Sequence, residues 1–370
     1  MSKRILIFST AYFPFVGGAE IAIKELTDRL SNEFEFELIT ARLNKNLPSI
    51  EKIGAATIHR IGIGVPFLDK FFLPYFGALK ALRLNKKNQY IAFWCIMVSF
   101  ASGAAYIANW FQKKVPIILT LQEGDSEDWL QYRWFGLINL SWRFALARTN
   151  ILTTISNYLL ERAKKLDFKG KAVLIPNGVD YAKFSHLAVK PPSGEVQLIT
   201  TSRLVEKNGL EDIINAIKLL PESVSLQIIG SGPLEENLKF KIKNLKLENR
   251  VEMLGEIPNS DISLYLSKAD IFVRPSLSEG QGISFIEAMA AGLPVIATSV
   301  GGIPDFLKDR ETGLFCNVND PKSIAEKVLE YINDPELTKK VVENARKMVE
   351  EKYDWDLISR DMKSRVFDTI

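Results

Sequence analysis

The sequence predicts an α/β protein of two Rossmann-like, doubly wound domains that face each other across a central cleft. Three observations carry this. Short apolar runs alternate with longer amphipathic ones along the chain, the pattern of strand–helix–strand units in parallel sheets. The alternation comes in two series. Between them lies His186 to Glu195, where Pro191-Pro192 followed by Ser193-Gly194 can continue neither element.

In the first series the apolar runs predict strands at Arg4–Ser9, Phe36–Thr40, Thr57–Arg60, Tyr90–Val98, Ile117–Thr120, Ile151–Ile155 and Ala172–Ile175. The second series predicts Val196–Thr201, Ser225–Ile229, Val251–Leu254, Ile271–Arg274 and Val295–Thr298. Helical spacing falls between them, as at Ala19–Leu30, Gly209–Leu220, Pro233–Leu245, Ile283–Ala291 and Pro321–Ile332. The first domain is expected at residues 1–187, joined by a C-terminal helix at about 354–370, and the second at 188–353.

With 47% hydrophobic and 25% charged residues, the chain can bury two ordinary cores. Cys95 and Cys316 sit in apolar runs and read as buried free thiols. Met1-Ser2-Lys3-Arg4 leads straight into the first strand, so no secretory leader is expected. Ile91 to Phe111 is uncharged and about as long as a membrane span, but it divides naturally into a strand and a helix. Residues 1–180 hold 23 basic and 15 acidic side chains, against 24 and 29 in the remainder. The first half therefore favours an anionic partner. The usual nucleic-acid recognition motifs are missing, so nucleic acid is not expected.

In open α/β sheets ligands bind at the carboxyl ends of strands, so the chemistry should lie in the loops there. The strongest signal is Ser278-Glu279-Gly280-Gln281-Gly282-Ile283-Ser284-Phe285-Ile286-Glu287. Its glycines permit a tight turn, and a helix starting near Ile283 offers unpaired amides and a positive dipole end to a phosphate. Glu279 in the loop and Glu287 in the first turn or so of the helix can each accept hydrogen bonds from sugar hydroxyls. Arg203 and Lys207 lie in another strand-to-helix loop, where cations clamp a diphosphate. Gly17-Gly18 opens the first helix with further amides. These glycines come too late for a Gly-x-Gly-x-x-Gly dinucleotide site, and no Gly-Lys-Ser/Thr phosphate loop is present, which argues against a dehydrogenase or an ATPase.

Together these residues resemble the retaining glycosyltransferases of family 4, which have the GT-B fold. The likeness runs from Gly17-Gly18-Ala19-Glu20 through Ile175-Pro176-Asn177-Gly178-Val179-Asp180, Ser202-Arg203-Leu204 and Ile229-Gly230-Ser231-Gly232-Pro233. It continues through the Glu279/Glu287 pair and Ala290-Ala291-Gly292-Leu293-Pro294-Val295 to Gly301-Gly302-Ile303-Pro304-Asp305. The resemblance implies a nucleotide-diphosphate-sugar donor, a carbohydrate or lipid-linked acceptor, and no cofactor or metal. It implies that Glu279 holds the donor sugar and Glu287 the ribose. Amides of Gly282, Ile283 and Ser284 reach the sugar and phosphates, while Arg203 and Lys207 bind the diphosphate. Gly17 and Gly18 close from the other domain, and Gly230 and Ile257 complete the donor site. In the reaction implied, the diphosphate leaves, stabilised by the cations and the helix start, and the acceptor hydroxyl attacks from the same face.

Two positions depart from the family pattern. Gln122 stands where a His is usual; it can orient a sugar but cannot carry a proton, and Asp125 is the candidate to compensate. Asn208 stands where the Lys before the glycine is usual, one position after Lys207. His59 and His186 have no ligand-spaced neighbours, and Asp354-Trp355-Asp356 belongs to the C-terminal tail, so no metal site is expected. A noncatalytic sugar-nucleotide-binding subunit and a nucleotide-sugar epimerase are the alternatives.

Finally, Val65-Pro66-Phe67-Leu68 to Tyr75-Phe76, followed by Lys80, Arg83, Lys86 and Lys87, reads as a lipid-facing segment, the alternative being a core helix that lines a cleft for a soluble acceptor. Trp129 to Arg148 mixes tryptophan and arginine in the same way. A cytoplasmic protein held peripherally on the anionic inner membrane face is expected.

Overall fold

The computed structural model describes residues 3–125, 137–185 and 194–370. It forms two compact units, Met1–Asn177 with Trp355–Ile370, and Gly178–Asp354. Trp129, Arg133 and Trp134, and the Pro191-Pro192 stretch, lie outside the described residues.

The first unit holds strands β1 (Lys3–Phe8), β2 (Phe34–Ala41), β3 (Ile50–Ile53), β4 (Ala56–Ile61), β5 (Ala92–Ile96), β6 (Ile117–Leu121), β7 (Ile151–Thr154) and β8 (Lys171–Leu174). Their order is β3-β4-β2-β1-β5-β6-β7-β8, parallel except for the β3–β4 hairpin. A parallel sheet covered on both faces needs near-continuous apolar strands, and Ile5 to Phe8 and Ile117 to Leu119 have no exposed surface. The strand order reverses between β1 and β5, the place where a doubly wound sheet opens a crevice at its strand ends.

The second unit is an all-parallel sheet of β9 (Val196–Thr201), β10 (Val224–Ile229), β11 (Val251–Gly255), β12 (Ile271–Arg274), β13 (Val295–Thr298) and β14 (Leu314–Cys316). Its order is β11-β10-β9-β12-β13-β14, so the reversal lies between β9 and β12. Leu198, Leu226 and Val273 pack with Ile213 and Ile217 on one face; Phe272, Phe285 and Phe306 pack on the other.

The C-terminal helix Trp355–Arg365 belongs to the first unit. Asp356 accepts from Arg29 at 2.7 Å, and Phe367 packs among Phe34, Phe36 and Trp94. Asp354 instead accepts the Tyr181 amide at 3.3 Å within the second unit. The units divide between Asn177 and Gly178, ahead of the expected limit at 187. The reason is packing: the Val179 amide bonds Tyr353 O at 2.8 Å, and Phe184, on the turn of helix Tyr181–Ser185, is buried in the second unit's core.

Ile91 to Phe111 resolves into β5 and the helix Phe100–Phe111, and no described helix is long and apolar enough to cross a membrane. Both cysteines are buried and free. Strands β3 and β14 were not anticipated: β3 is a four-residue hairpin partner with half its side chains exposed, and β14 spans three residues.

Candidate functional site

In the second unit, four loops at the strand ends are locked together through their backbones. After β9, Gly209 (φ +66°) lies so close to the Pro275 carbonyl that a Cβ would overlap it. After β10, Gly230 (φ +136°) lies equally close to the Ser202 carbonyl, and its amide bonds Gly255 O at 2.7 Å. After β13, Gly301 (φ +55°) abuts the Glu279 carbonyl, which accepts the Gly302 amide at 3.1 Å. Leu277 N bonds Lys207 O at 2.7 Å, tying the loop after β12 to the loop after β9. Glycine is needed at these positions both for the positive φ and for the absent Cβ.

This frame presents the predicted side chains. Arg203 is exposed and has no ion pair with a described residue. Lys207 is half-buried on the 3-10 turn Glu206–Asn208. Asn208, the residue that departs from the family pattern, is buried and donates to Arg203 O at 2.7 Å, so it shapes the loop from within. Gly282 (φ +88°) caps the helix Ile283–Ala291, whose first hydrogen bond runs from Phe285 N to Gly282 O at 3.2 Å, so the Ile283 and Ser284 amides precede the helical ladder. A Cβ on Gly282 would crowd the Phe285 ring and come within 2.9 Å of the Arg274 guanidinium. Glu287 falls in the second turn of this helix rather than the first.

Arg274, at the end of β12, escaped the sequence reading. It is buried, its guanidinium carbon lies 4.2 Å from the Phe285 ring centre, and it donates to Ser284 Oγ at 2.6 Å and to Glu279. Glu279 Oε1 also accepts the Gly280 amide at 3.0 Å. Burial pushes the guanidinium pKa down, while the neighbouring Glu279 and Glu287 carboxylates oppose the shift. Arg274 therefore sits in the field of both glutamates and fixes the rotamer of one. An arginine closing a buried strand was the available signal. Desolvation raises the Glu287 carboxyl to about 7, against a hydrogen bond from Asn259 and the charges of Lys183 and Arg274. Lys183 in turn donates to Asn259 O at 2.9 Å. Ile257, past β11, packs half-buried against the core formed around Phe272 and Phe285.

The first unit finishes its strand ends with side chains. The Gly17 amide does not stand open to an anion: Glu20 Oε2 accepts it at 2.9 Å, because the buried Glu20 folds back over the helix start. Gly18 has open space where a Cβ would be. Gln122 follows β6, and its Oε1 accepts from Asn177 Nδ2 at 3.2 Å. Glu123 accepts the Val98 amide at 2.6 Å and the Gln122 amide at 2.9 Å, bridging the ends of β5 and β6. Desolvation raises its carboxyl to about 7, the hydrogen bonds opposing. The buried Arg162 donates to Asp125 O at 2.8 Å. Asp125 is thus held by its backbone near Gln122, and Glu123 and Arg162 are the supports the sequence did not reveal. Among the described residues there is no cluster of His, Cys, Asp or Glu able to hold a metal.

The architecture and loops define a class. The model for "Glycosyltransferase Family 4" matches residues 16–183, and that for "Glycosyl transferases group 1" matches residues 184–348. The chain belongs to the group 1 glycosyltransferases of family 4, with the GT-B type of fold. It is 31% identical over 228 residues to the WcaL glycosyltransferase of Escherichia coli K12, a match spanning 59% of this chain and 56% of that protein. It is 27% identical to the alpha-monoglucosyldiacylglycerol synthase of Streptococcus pneumoniae, over 84% of this chain and 74% of that protein. Among solved structures it resembles the sucrose-phosphate synthase of Thermosynechococcus elongatus, with TM-score 0.83 and 20% identity over the full length of both chains. The HepE protein of Anabaena, solved with UDP and glucose, superposes with TM-score 0.80 at 17% identity, again over the full length of both.

Proposed function

We propose that the chain moves a hexosyl group from a nucleotide-diphosphate sugar to an acceptor hydroxyl, with retention of anomeric configuration and without a metal ion. The carrying observation is the interlocked loop frame of the second unit. It sets Arg203, Lys207 and the amides at the start of Ile283–Ala291 on one rim, beside a Glu279 fixed by Arg274. Cations and helix-end amides are what a departing diphosphate requires, and a preorganised frame supplies them without reorganisation. Glu279 accepts from the sugar hydroxyls and Glu287 from the ribose. In the first unit Gln122 orients the sugar, with Asp125 held beside it. The UDP and glucose found in HepE support this donor class.

The acceptor is a glycan or a lipid-linked precursor, and the protein works peripherally at an anionic membrane, as the exposed aromatic side chains of Pro66–Asn88 favour. The deciding experiment screens UDP-, GDP- and ADP-sugars for protection against thermal unfolding. At a hundredfold excess over Kd, the right donor stabilises by about 2.7 kcal/mol. No protection by any of them at millimolar concentration overturns the reading. NMR of the product's anomeric proton tests retention, and turnover in EDTA tests metal independence.

A further inference from the structure

Three helices of the first unit, Pro66–Asn88, Phe100–Phe111 and Leu137–Arg148, lie side by side. Gly77 backs onto Ala104, and Tyr106 meets the Phe144 ring edge-on at 5.9 Å. All three turn apolar residues outward. Phe67, Phe71, Tyr75 and Phe76 are exposed on the first, Phe67 at 77%; Trp110 and Phe111 on the second, at 61% and 71%; Leu140 and Phe144 on the third. A patch this size on one face marks an interaction surface.

Its charge is one-sided. Asp69 is the sole acid in these helices, and it is buried, accepting the Ile63 and Gly64 amides at 2.9 and 2.7 Å. Lys80, Arg83, Lys86 and Lys87, together with Lys113 and Lys114 after the second helix, form no ion pair with a described residue. Aromatics bordered by cations that pair with no described residue, on helices whose single acid is buried, complement an anionic lipid surface.

Between the second and third helices this face opens into a groove of about 590 Å³ lined by Val98, Gly103, Ile107, Trp110, Leu140 and Phe144. One end lies at Val98 and Ser99, where the Val98 amide is bound by Glu123, the residue after Gln122. Two of the lining rings carry the Arg148 guanidinium, stacked over Trp110 at 4.8 Å and Phe144 at 5.1 Å. The lining is almost wholly apolar, so a sugar has little to bond there, whereas a hydrocarbon chain fits its chemistry.

We propose that this groove receives the hydrocarbon chain of a lipid-linked acceptor, drawn from the membrane on which the three-helix face docks, and so leads the acceptor's head group to the strand ends beside Gln122. The inference rests on the reading of the chain as a membrane-docked transferase. It makes the acceptor a substrate with at least one long alkyl or polyprenyl chain.

The test uses the full chain and a monoacyl phosphatidylglycerol brominated on its acyl chain, kept below its micelle concentration, with sedimentation on phosphatidylglycerol vesicles as a separate measurement. Saturable quenching of Trp110 fluorescence, lost in Trp110→Phe, is expected. Ser141 is exposed on the groove wall, so Ser141→Phe fills the groove without disturbing the core. Ser141→Phe should weaken probe binding about tenfold by displacing two or three methylenes, and leave vesicle binding and thermal stability as in wild type. Equal probe binding by wild type and Ser141→Phe, with vesicle binding intact, overturns the groove and leaves the docking surface standing. Failure of wild type to bind vesicles overturns both. A dimer in analytical ultracentrifugation that Phe71→Glu dissolves assigns the face to a second copy of the chain and also overturns the proposal.

Discussion

The two sheets share one plan, a doubly wound order with its reversal beside the first strand of each series, yet they secure their functional ends by different means. The second unit uses main chain against main chain. Gly209, Gly230 and Gly301 each bring a loop onto a neighbouring carbonyl, and one buried arginine completes the frame. The first unit uses side chains against main chain: Glu20 on the Gly17 amide, Glu123 on the Val98 and Gln122 amides, and Arg162 on Asp125 O. A backbone frame suits the ligand proposed for the second unit, a nucleotide diphosphate, which needs one fixed set of donors. A side-chain frame can be retuned residue by residue, which suits the partner that differs between enzymes.

The sharpest way to break this comparison is to add one methyl group on each side. Gly230→Ala drives a Cβ into the Ser202 carbonyl at φ +136°. Overpacking and backbone strain together should cost about 3–5 kcal/mol, seen as a large fall in the melting transition of the second unit. Gly18→Ala meets open space on the first helical residue, so it should hold or raise stability by up to about 1 kcal/mol. If the two variants unfold alike, the distinction between the frames is wrong.

Next in size is Arg203→Ala. The side chain is exposed and pairs with no described acid, so folding should be untouched, whereas kcat should fall on the order of 10²-fold because the charge it meets grows in the transition state. Wild-type turnover would remove Arg203 from the site. On the first unit's side the expected effects are smaller. Gln122→His keeps a hydrogen-bonding side chain toward Asn177 and should retain activity, while Gln122→Ala should lower it several-fold. An inactive but folded Gln122→His would show that this position does more than orient a sugar.

Most of the sheet was legible because parallel strands buried on both faces leave unbroken apolar runs: Val196–Thr201, Ile271–Arg274 and Val295–Thr298 were placed to the residue. Strand β3 was not, since Ile50-Glu51-Lys52-Ile53 carries an edge pattern too short to stand out. The exposed candidates Arg203 and Gly18 could be proposed from sequence because polar or glycine-rich loops follow strands. Arg274, Glu123 and Arg162 could not, because their importance comes from burial and from partners brought in from other elements: Ser284 and Phe285 around Arg274, Val98 beside Glu123, Asp125 beside Arg162. Gly17 shows the converse. A glycine pair at a helix start reads as an anion site, but the acid three residues on closes the first amide.

The smallest expected effect tests the side-chain frame itself. The Glu123 carboxyl is raised from 4.5 to about 7 by desolvation, so the folded protein holds its proton over a range where the unfolded chain has lost it. The stability this contributes is fully present below about pH 4.5 and is lost as pH rises through about 7. Glu287 titrates in the same direction, but it is common to wild type and to a Glu123→Gln variant, so it cancels from their difference. Glutamine offers a single acceptor oxygen to the two amides that Glu123 satisfies, so the variant should be less stable at every pH. Its deficit should nevertheless be largest near pH 5 and shrink by about 1 kcal/mol toward pH 8, below the full linkage value because the carboxyl is only half-buried. Chemical denaturation of both proteins at pH 5, 6.5 and 8 measures this. A deficit that grows with pH would mean that Glu123 is held as a carboxylate, and that the ends of β5 and β6 are joined by a fixed charge rather than by a neutral bridge.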